Sequence, residues 1–458
     1  MGTRILIYGL NYRPEPIGVG RYTGELAEFL DRRGHKVSVI TSPPHYPGWK
    51  VRGDYKNRVS HEVLNNVDVF RVPVFLTKGV GGLRRIMFIL SFALMSCLPL
   101  LVYLVLNRPR VVLCVEPSLM SAPFALALCK ILKIRIVLQV QDLEIEAALA
   151  TGQIGGGWVR RLAEGFARRV RSSFDQVITI SNRMSAELEA CGVPAEKIVV
   201  VRNWIKPTLF SAQVTDFDYR AKFNIGDHQK VFLYSGNVGK KQGLHEFLAA
   251  AESLQDDFRY VFVISGEGPE KSVLERRFGS LQNVRFGDLV PEEELAPFLR
   301  FADVHIVCQL AGTGDFVLPS KIGPILASGG KILVASQDDT ELHWFLGDRA
   351  RFASIEDASS IVNGIRLSIE APDLTYEARI QLAHTLSADV ILPTFEDVLF
   401  GGALSIRGIE IPSPAGTQDL RSAPAQHAAG MTHPGQRARP WGRLSPANGS
   451  VDGTSDAA

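Results

Sequence analysis

One pattern occurs twice in this chain: an apolar strand, a glycine-rich loop and then a helix. In the second half, Val231–Ser235 leads through a loop containing Lys241 to a helix predicted from about Gln242. Near the start, Arg4–Leu10 is followed by the loop Gly18–Gly20 and another predicted helix. Backbone N–H groups of such a turn, together with a helix N-terminus, form a site for anions. The repetition predicts two similar halves that face one ligand.

Apolar runs rich in β-branched residues recur between helical segments in both halves. Strands covered by helices on both faces have this continuous character, which is typical of parallel sheets. We therefore predict an α/β fold whose ligands bind beyond the carboxyl ends of the strands. The remaining predicted strands are Lys36–Thr41, Val67–Val74, Arg110–Glu116, Arg135–Asp142, Asp175–Ser181, Lys197–Trp204, Arg259–Ser265, Asn283–Phe286, Val304–Gln309 and Lys331–Ala335.

Length and local composition suggest the division of the chain. The 458 residues allow about two to three domains. We predict an N-terminal domain over 1–204, a polar linker over 205–229 and a C-terminal domain over 230–402. Residues 403–458 are rich in Pro, Ala, Gly and Ser, so we predict a disordered tail without catalytic groups.

Charge and cysteine content narrow the partners and the compartment. The net charge is only +2, which gives no reason to expect a nucleic-acid partner. The five cysteines are widely spaced and form no metal-binding pattern. We interpret them as free thiols in a reducing cytoplasm. His35 follows Gly34 at the end of the first predicted helix, and we assign it a structural role.

The segment Ile86–Leu106 carries no charge and is long enough to cross a bilayer. A spanning helix would separate the two parts of an apparently continuous sheet. A helix buried in the core of such a fold should still have a polar outer face. We therefore favour a helix over 84–107 that lies in the membrane interface, with Leu101 and Leu104 towards the lipid.

A second, arginine-rich helix is predicted over 157–173. Its arginines, including Arg171, alternate with apolar residues. Such a helix can rest on anionic lipid, or it can be an ordinary surface helix with a solvated face.

Lys321 and two acidic positions are the candidates for chemistry outside the glycine loops. Pro319 and Ser320 begin a predicted helix, which places Lys321 in its first turn. A cation there opposes the helix dipole and hints at an anionic ligand, with an exposed lysine as the alternative. Asp216-Phe217-Asp218 has a metal-binding spacing, but in a polar linker we interpret it as solvated carboxylates.

Several short motifs together resemble a known family. In their order and spacing they resemble glycosyltransferases of the GT-B fold, family 4, in the branch of colanic-acid and other exopolysaccharide biosynthesis. The resemblance covers about residues 3–400 and implies two Rossmann-like domains that face a cleft. The matching stretches are Tyr12–Tyr22, Thr41–Pro47, Gln139–Glu144, Ile180-Ser181, Gly192-Val193, Lys197-Ile198, Asn203-Trp204, Tyr234–Asn237, Lys241–Gly243, Gly266–Gly268 and Leu318–Lys321.

The resemblance also implies the reaction and the roles of individual residues. A sugar passes with retention from a nucleotide-diphosphate sugar, with GDP-fucose as a candidate, to a lipid-linked saccharide, without a cofactor or metal. Lys241 and Lys321 are expected to neutralise the donor phosphates. Asp142 is a candidate base or sugar ligand, or else an N-cap. The implied donor site comprises Gly18, Gly20, Asn203, Gly236, Asn237, Gly266, Gly268, Asp315 and Ser320.

Two departures from the family pattern leave alternatives open. Asn237 stands where many relatives carry arginine, and Pro324 stands at the second of two acidic positions, with Asp315 near the first. These departures make an inactive nucleotide-sugar-binding subunit of a polysaccharide complex one alternative. A nucleotide-sugar epimerase of similar two-domain fold is another. For a transferase, the expected partners are the nucleotide sugar, a polyprenyl-diphosphate-linked saccharide and the lipid surface. Its expected place is the cytoplasmic face of the inner membrane.

Overall fold

The computed structural model describes residues 2–16, 18–46, 48–76, 82–143, 157–211, 217–310 and 318–402. Eight strands form the first sheet, in the order β3-β4-β2-β1-β5-β6-β7-β8. Neighbours are parallel except β3 and β4, which are antiparallel. The strands are β1 (Arg4–Gly9), β2 (Lys36–Thr41), β3 (Ser60–Leu64), β4 (Val67–Arg71), β5 (Val111–Val115), β6 (Arg135–Val140), β7 (Gln176–Thr179) and β8 (Ile198–Val200).

The second sheet has six parallel strands in the order β11-β10-β9-β12-β13-β14. Together the two sheets confirm the predicted α/β class with two parallel-sheet halves. The strands are β9 (Lys230–Asn237), β10 (Tyr260–Glu267), β11 (Val284–Gly287), β12 (Val304–Cys308), β13 (Lys331–Ser336) and β14 (Arg351–Ser354).

Helices cover both faces of each sheet, and this explains why the strands are continuously apolar. In β1, Leu6 and Tyr8 enter one buried cluster, whereas Ile5 and Ile7 enter the cluster on the opposite face. Because successive side chains of a strand alternate between faces, apolar residues are favoured at nearly every position when both faces are buried. The second sheet has the same pair of clusters.

Fifteen helices connect or cover the strands of the described chain. They are α1 (Gly18–Arg32), α2 (Gly82–Asn107), α3 (Ala122–Leu132), α4 (Trp158–Ser172), α5 (Asn182–Ala190), α6 (Thr208–Ser211), α7 (Tyr219–Lys222), α8 (Leu244–Glu252), α9 (Lys271–Phe278), α10 (Leu295–Arg300), α11 (Ile322–Ser328), α12 (Glu341–Leu346), α13 (Ala358–Glu370), α14 (Tyr376–Thr385) and α15 (Ala388–Leu399).

Two strands were not predicted from the sequence, and both lie at sheet edges. β3 is half exposed and its apolar content is low, and β14 is short with two partly buried residues at its start. An edge strand buries few side chains, so the apolar signal that identifies central strands is weak there.

Helix α2 has two apolar faces in different surroundings. Phe88, Phe92, Leu100 and Leu104 are buried in the cluster over the first sheet, and the Tyr8 hydroxyl hydrogen bonds Ser96 of this helix at 2.6 Å. The predicted position of Leu104 at the lipid is therefore wrong, since its side chain is fully buried. The opposite face exposes ten large apolar residues: Ile86, Met87, Leu90, Leu94, Met95, Leu98, Leu101, Val102, Val105 and Leu106.

This helix also passes a length test for membrane crossing. Residues Arg84–Asn107 have a mean hydropathy of 2.4, and this is the one helix of the described ranges that is long and apolar enough to span a bilayer. A buried core helix can meet the same test, so length and hydropathy alone do not distinguish a core helix from a helix in contact with a membrane. The exposed apolar face of α2 is the feature that a fully buried core helix would lack.

Arg171 of α4 is buried, so it does not belong with the lipid-facing arginines predicted for this helix. Its guanidinium donates to Glu116 Oε1 at 2.8 Å, and both side chains are inaccessible to solvent. Arg160, Arg161, Arg168 and Arg169 of the same helix are exposed. Membrane contact by α4 therefore remains a prediction for its exposed arginines only.

We expect Arg171→Met to lower the free energy of unfolding by about 3–5 kcal/mol, because it leaves the Glu116 carboxylate buried without this cation. Arg169→Met is the matched control on the exposed face of α4, and we expect almost no effect. Urea denaturation of the two variants measures the difference. Equal stabilities would contradict a structural role for the buried pair.

The last helix crosses back to the first sheet. Ile391, Phe395 and Leu399 of α15 are buried with the strands of the N-terminal half, although they follow the second sheet in sequence. His35 Nε2 lies 2.7 Å from Glu396 Oε1, so the structural role predicted for His35 is confirmed. All five cysteines are free. The predicted tail over 403–458 lies outside the described residues.

Candidate active site

Both glycine loops lie where strand order reverses. In the first sheet β1 lies between β2 and β5, and in the second sheet β9 lies between β10 and β12. Helices leave such neighbouring strands towards opposite faces of a sheet and open a crevice at the carboxyl ends. The loop with Gly18 and Gly20 follows β1, and the loop with Asn237 follows β9. These two crevices define the candidate site.

The first loop is built around a buried glutamate that the sequence analysis did not single out. Glu15 Oε1 accepts hydrogen bonds from the backbone N–H groups of His45 and Tyr46, both at 3.0 Å. A Cβ on Gly20 would lie 2.6 Å from Glu15 Oε2, so glycine leaves room for this carboxylate. Gly18 has φ of +65° and opens α1, which accounts for glycine at that position.

The second loop is ordered by its own side chains. The Tyr234 hydroxyl donates to the Asn237 carbonyl at 2.6 Å. Gln242 Oε1 accepts from Gly239 N at 3.1 Å, which holds a short 3₁₀ turn over Lys240–Gln242. The α-helix therefore begins at Leu244 rather than at Gln242. Lys241 and Asn237 are exposed on this loop.

The glycines after β9 and β10 are explained by the packing of the two strand ends. A Cβ on Gly266 would lie 1.8 Å from the carbonyl oxygen of Gly236, and one on Gly268 would lie 2.2 Å from the carbonyl oxygen of Val238. No side chain fits at these distances. Their role in contacting a nucleotide stays a prediction, since strand packing alone requires glycine here.

We expect Gly266→Ala to lower the melting temperature by several degrees, because a backbone carbonyl cannot move aside as a flexible side chain can. Gly165→Ala on α4 is the control, since a Cβ there meets no atom within 4 Å. Differential scanning calorimetry compares the two. A Gly266→Ala protein of normal stability and weakened nucleotide binding would favour the ligand-contact role instead.

Lys321 is the most unusual group of the site. Its ammonium lies 3.5 Å from the centre of the Tyr234 ring and has no hydrogen-bond partner among the described residues. Burial lowers the pKa of Lys321 to about 7, with an opposing contribution from Cys308. Lys321 immediately precedes α11 as its N-cap, and its ammonium is buried. The alternative of an exposed lysine in the first helical turn is therefore wrong. A buried ammonium without a hydrogen-bond partner is costly, so an anion-binding role for Lys321 stays a prediction.

Asn203 and Ser320 are brought together by the fold. They line one narrow crevice with Tyr22, Trp204 and Pro319. The Asn203 amide exchanges two hydrogen bonds with the Gln141 amide, at 3.1 and 3.2 Å. Asp142 follows Gln141 and is exposed at the same edge of the first sheet.

Ion pairs and hydrogen bonds join the two halves beside this crevice. Within the N-terminal half the Trp204 indole donates to Glu25 Oε2 at 2.8 Å, and Lys206 of the linker contacts both Glu25 and Glu292 of the C-terminal half. Arg202 Nη1 donates to Glu341 Oε1 at 2.7 Å. Lys206 and Arg202 thus link the two halves next to the crevice, and sequence reasoning could not have paired them with their partners.

Other candidates lie elsewhere or beyond the described ranges. Asp218 caps α7 by accepting from Ala221 N at 3.0 Å, which supports the interpretation of the DxD-like motif as non-catalytic. Asp315 and Asp216 are outside the described residues. Within the described ranges, no group of three or more His, Cys, Asp or Glu side chains could hold a metal ion.

A surface depression of about 530 Å³ includes His228, Asp257 and Arg259. It lies at the amino ends of β9 and β10, opposite the edge that carries the glycine loops. Because ligands of parallel sheets bind at the carboxyl ends, we do not assign it to the active site.

Comparison with known proteins identifies the family. Residues 18–204 match the family model described as a glycosyl transferase 4-like domain, and residues 216–314 match glycosyl transferases group 1. Over 403 residues the chain is 36% identical to a protein of Escherichia coli (strain K12) assigned as the colanic acid biosynthesis glycosyl transferase WcaI. The match covers 86% of this chain and 98% of that protein. The chain belongs to this family and is a glycosyltransferase.

Solved structures confirm the fold predicted from the resemblance. The sucrose-phosphate synthase of Thermosynechococcus elongatus superposes with a TM-score of 0.64 at 14% identity, covering 86% of this chain and 98% of that one. HepE of Anabaena, in complex with UDP and glucose, gives 0.60 at 13% identity, covering 87% and 100%. The two parallel-sheet halves are thus those of the GT-B fold.

Proposed function

We propose that this glycosyltransferase moves a sugar from a nucleotide-diphosphate sugar to a lipid-linked saccharide during exopolysaccharide synthesis of the colanic-acid type. One observation carries the donor half of the proposal: the buried ammonium of Lys321, which lies at the carboxyl end of β9 without a hydrogen-bonding partner among the described residues. A diphosphate supplies the anion that this cation lacks. The similarity to WcaI of Escherichia coli supports the polysaccharide class.

The proposed chemistry uses charge stabilisation at the leaving group. As the sugar–phosphate bond breaks, negative charge grows on the diphosphate, and fixed cations and N–H groups stabilise it. Lys321 and Lys241 would act on this charge. With retention, the leaving phosphate takes the proton of the acceptor hydroxyl on the same face of the sugar. Asp142 is the carboxylate to test as a base or sugar ligand. The proposal includes no metal or cofactor.

The acceptor half of the proposal rests on α2. A polyprenyl-diphosphate-linked saccharide stays at the membrane, so the enzyme must work at its surface. The exposed apolar face of α2 lies opposite a face that packs on the first sheet, and this arrangement suits a helix lying in the interface. We therefore propose a peripheral protein on the cytoplasmic face of the inner membrane.

A thermal-shift screen against nucleotides and nucleotide sugars tests the donor. A ligand present at 100 times its dissociation constant stabilises the native state by about 2.7 kcal/mol, which is easily measured. We expect one nucleotide class to shift the melting temperature, and GDP-fucose is the first candidate. A flat response to GDP-, UDP- and ADP-sugars alike would contradict the proposed donor class.

We expect Lys241→Ala to lower turnover by about 100-fold, because one cation is withdrawn from the leaving group. Its side chain is exposed, so the melting temperature should not change. Lys240→Ala, on the adjacent exposed lysine of the same turn, is the matched control. If the two variants lose activity equally, the specific role of Lys241 is refuted.

A further inference from the structure

Part of the loop between β2 and β3 is tied by hydrogen bonds to the segment that follows β1. Glu15 Oε1 accepts from His45 N and Tyr46 N, which ties the loop to the segment that precedes α1. Arg52 donates from its guanidinium to the Pro14 carbonyl at 2.9 Å. These contacts hold residues 45, 46 and 52 against the segment before α1, at the carboxyl edge of the first sheet.

Tyr46 extends from this loop to the first glycine loop. Its Cε1 lies 3.5 Å from the position that a Cβ on Gly18 would occupy. The residue is 37% exposed, and its hydrogen bonds within the described chain involve only its backbone N–H. A phenol ring with an uncommitted hydroxyl therefore borders the cleft.

Trp49 is a second aromatic residue of the same loop. Its φ of +50° is in the left-handed region, which a bulky side chain rarely adopts. Its partly buried ring lies 5.9 Å from the His45 ring and meets the Phe88 ring edge-on at 5.8 Å. Residues in sparsely populated backbone regions cluster at active sites and at sites that hold ligands.

Phe88 connects this surface to the apolar helix. It belongs to α2, and Ile86, Met87 and Leu90 on the same turns are exposed. Trp49 therefore packs on the buried face of α2 and Tyr46 adjoins Gly18, so the loop that carries both rings lies between α2 and the first glycine loop. A molecule with an apolar tail on α2 and its reactive end at Gly18 would pass over these two rings.

We propose that Tyr46 and Trp49 form a subsite for the saccharide of the lipid-linked acceptor. This inference rests on the acceptor class of the proposed function. The C–H face of a sugar ring packs on an aromatic ring, while its hydroxyl groups hydrogen bond the polar edges of Tyr and Trp. The subsite would hold the saccharide at the mouth of the cleft while the lipid stays on α2.

Equilibrium binding in detergent micelles tests the subsite without any donor. The probes are radiolabelled undecaprenyl-diphosphate-linked glucose and undecaprenyl diphosphate without the sugar. We expect the unmodified enzyme to bind the sugar-bearing lipid about tenfold more tightly. Tyr46→Ala and Trp49→Ala should each reduce that preference, and the double variant should abolish it. Trp49→Phe keeps a ring and should retain part of the preference.

Two controls separate binding from folding. Phe258→Ala removes an exposed aromatic side chain near the amino edge of the second sheet and should leave the preference intact. Circular dichroism melting checks that each variant is folded. Equal binding of both lipids by the unmodified enzyme, or an intact preference in the folded double variant, overturns the subsite. Absence of sugar transfer from every nucleotide sugar, with the lipid preference intact, would contradict the proposed reaction alone.

Discussion

Lys321→Met is expected to abolish sugar transfer and, at the same time, to stabilise the protein. The substitution removes the buried cation proposed to bind the donor diphosphate, and loss of such a group lowers turnover by about 100-fold or more. Methionine fills nearly the same space above Tyr234 without a charge. The protein therefore no longer bears the cost of burying an ammonium, which is on the order of 5 kcal/mol at pH 6.

The pH dependence of stability gives this prediction a definite sign. Lys321 titrates near 10.5 in the unfolded chain and near pH 7 in the folded protein, where burial lowers its pKa. Between these values the unfolded chain binds more protons, so the free energy of unfolding of the parent protein rises as pH increases from 7 towards 10.5. Below pH 7 Lys321 is protonated in both the folded and the unfolded state, so the folded protein bears the full free-energy cost of the buried ammonium. The Met variant should lack this rise.

Urea denaturation at several pH values measures the change in stability, and an assay of sugar transfer measures the change in turnover. Lys240→Met is the control for loss of an exposed charge near the cleft. A Lys321→Met enzyme that transfers sugar at the parent rate would refute the phosphate role. A variant that is less stable than the parent at pH 6 would show that Lys321 has a favourable structural partner.

Replacing Leu94, Leu98 and Leu106 together by Glu is expected to release the enzyme from membranes. These residues are 73%, 68% and 74% exposed on α2. Each leucine that enters an apolar environment contributes roughly 1.5–3 kcal/mol, so the triple variant loses most of the proposed attachment. The added carboxylates are also repelled by anionic lipid. Because the side chains are exposed, the fold should remain intact.

Sedimentation with vesicles of phosphatidylethanolamine and phosphatidylglycerol measures this release. Val273, Leu289 and Leu374 are exposed apolar residues of the second half, and their triple replacement by Glu is the matched control. That control should still sediment with vesicles. Leu104→Glu should instead unfold the protein, since this side chain is fully buried. Retention of the α2 triple variant in the pellet would contradict attachment through this face.

The central strands could be predicted because their apolar character is visible within a short stretch of sequence. β2 is buried at every position after Lys36 and carries no charge there, and its predicted bounds are the observed ones. Edge strands β3 and β14 lack that burial and were missed. The two glycine loops were recognisable because a turn between strand and helix needs glycine wherever backbone is crowded.

The pairings that complete the site could not be predicted. Glu15 holds residues 45 and 46 through backbone N–H groups, which are the same for every residue type except proline and leave no trace in sequence. Arg171 looked like a lipid-facing arginine because its partner Glu116 lies far away in the chain. The return of α15 to the first sheet is also a long-range contact with no local signal.

By itself, the sequence determined the strand–loop–helix repeat, the two parallel sheets and the family, because apolar periodicity and glycine positions are properties of short segments. Only the tertiary structure decided that Lys321 is buried over Tyr234, that one face of α2 is core and the other is exposed, and that Tyr46 borders Gly18. Burial and proximity depend on which distant segments pack together, and packing is a property of the whole fold.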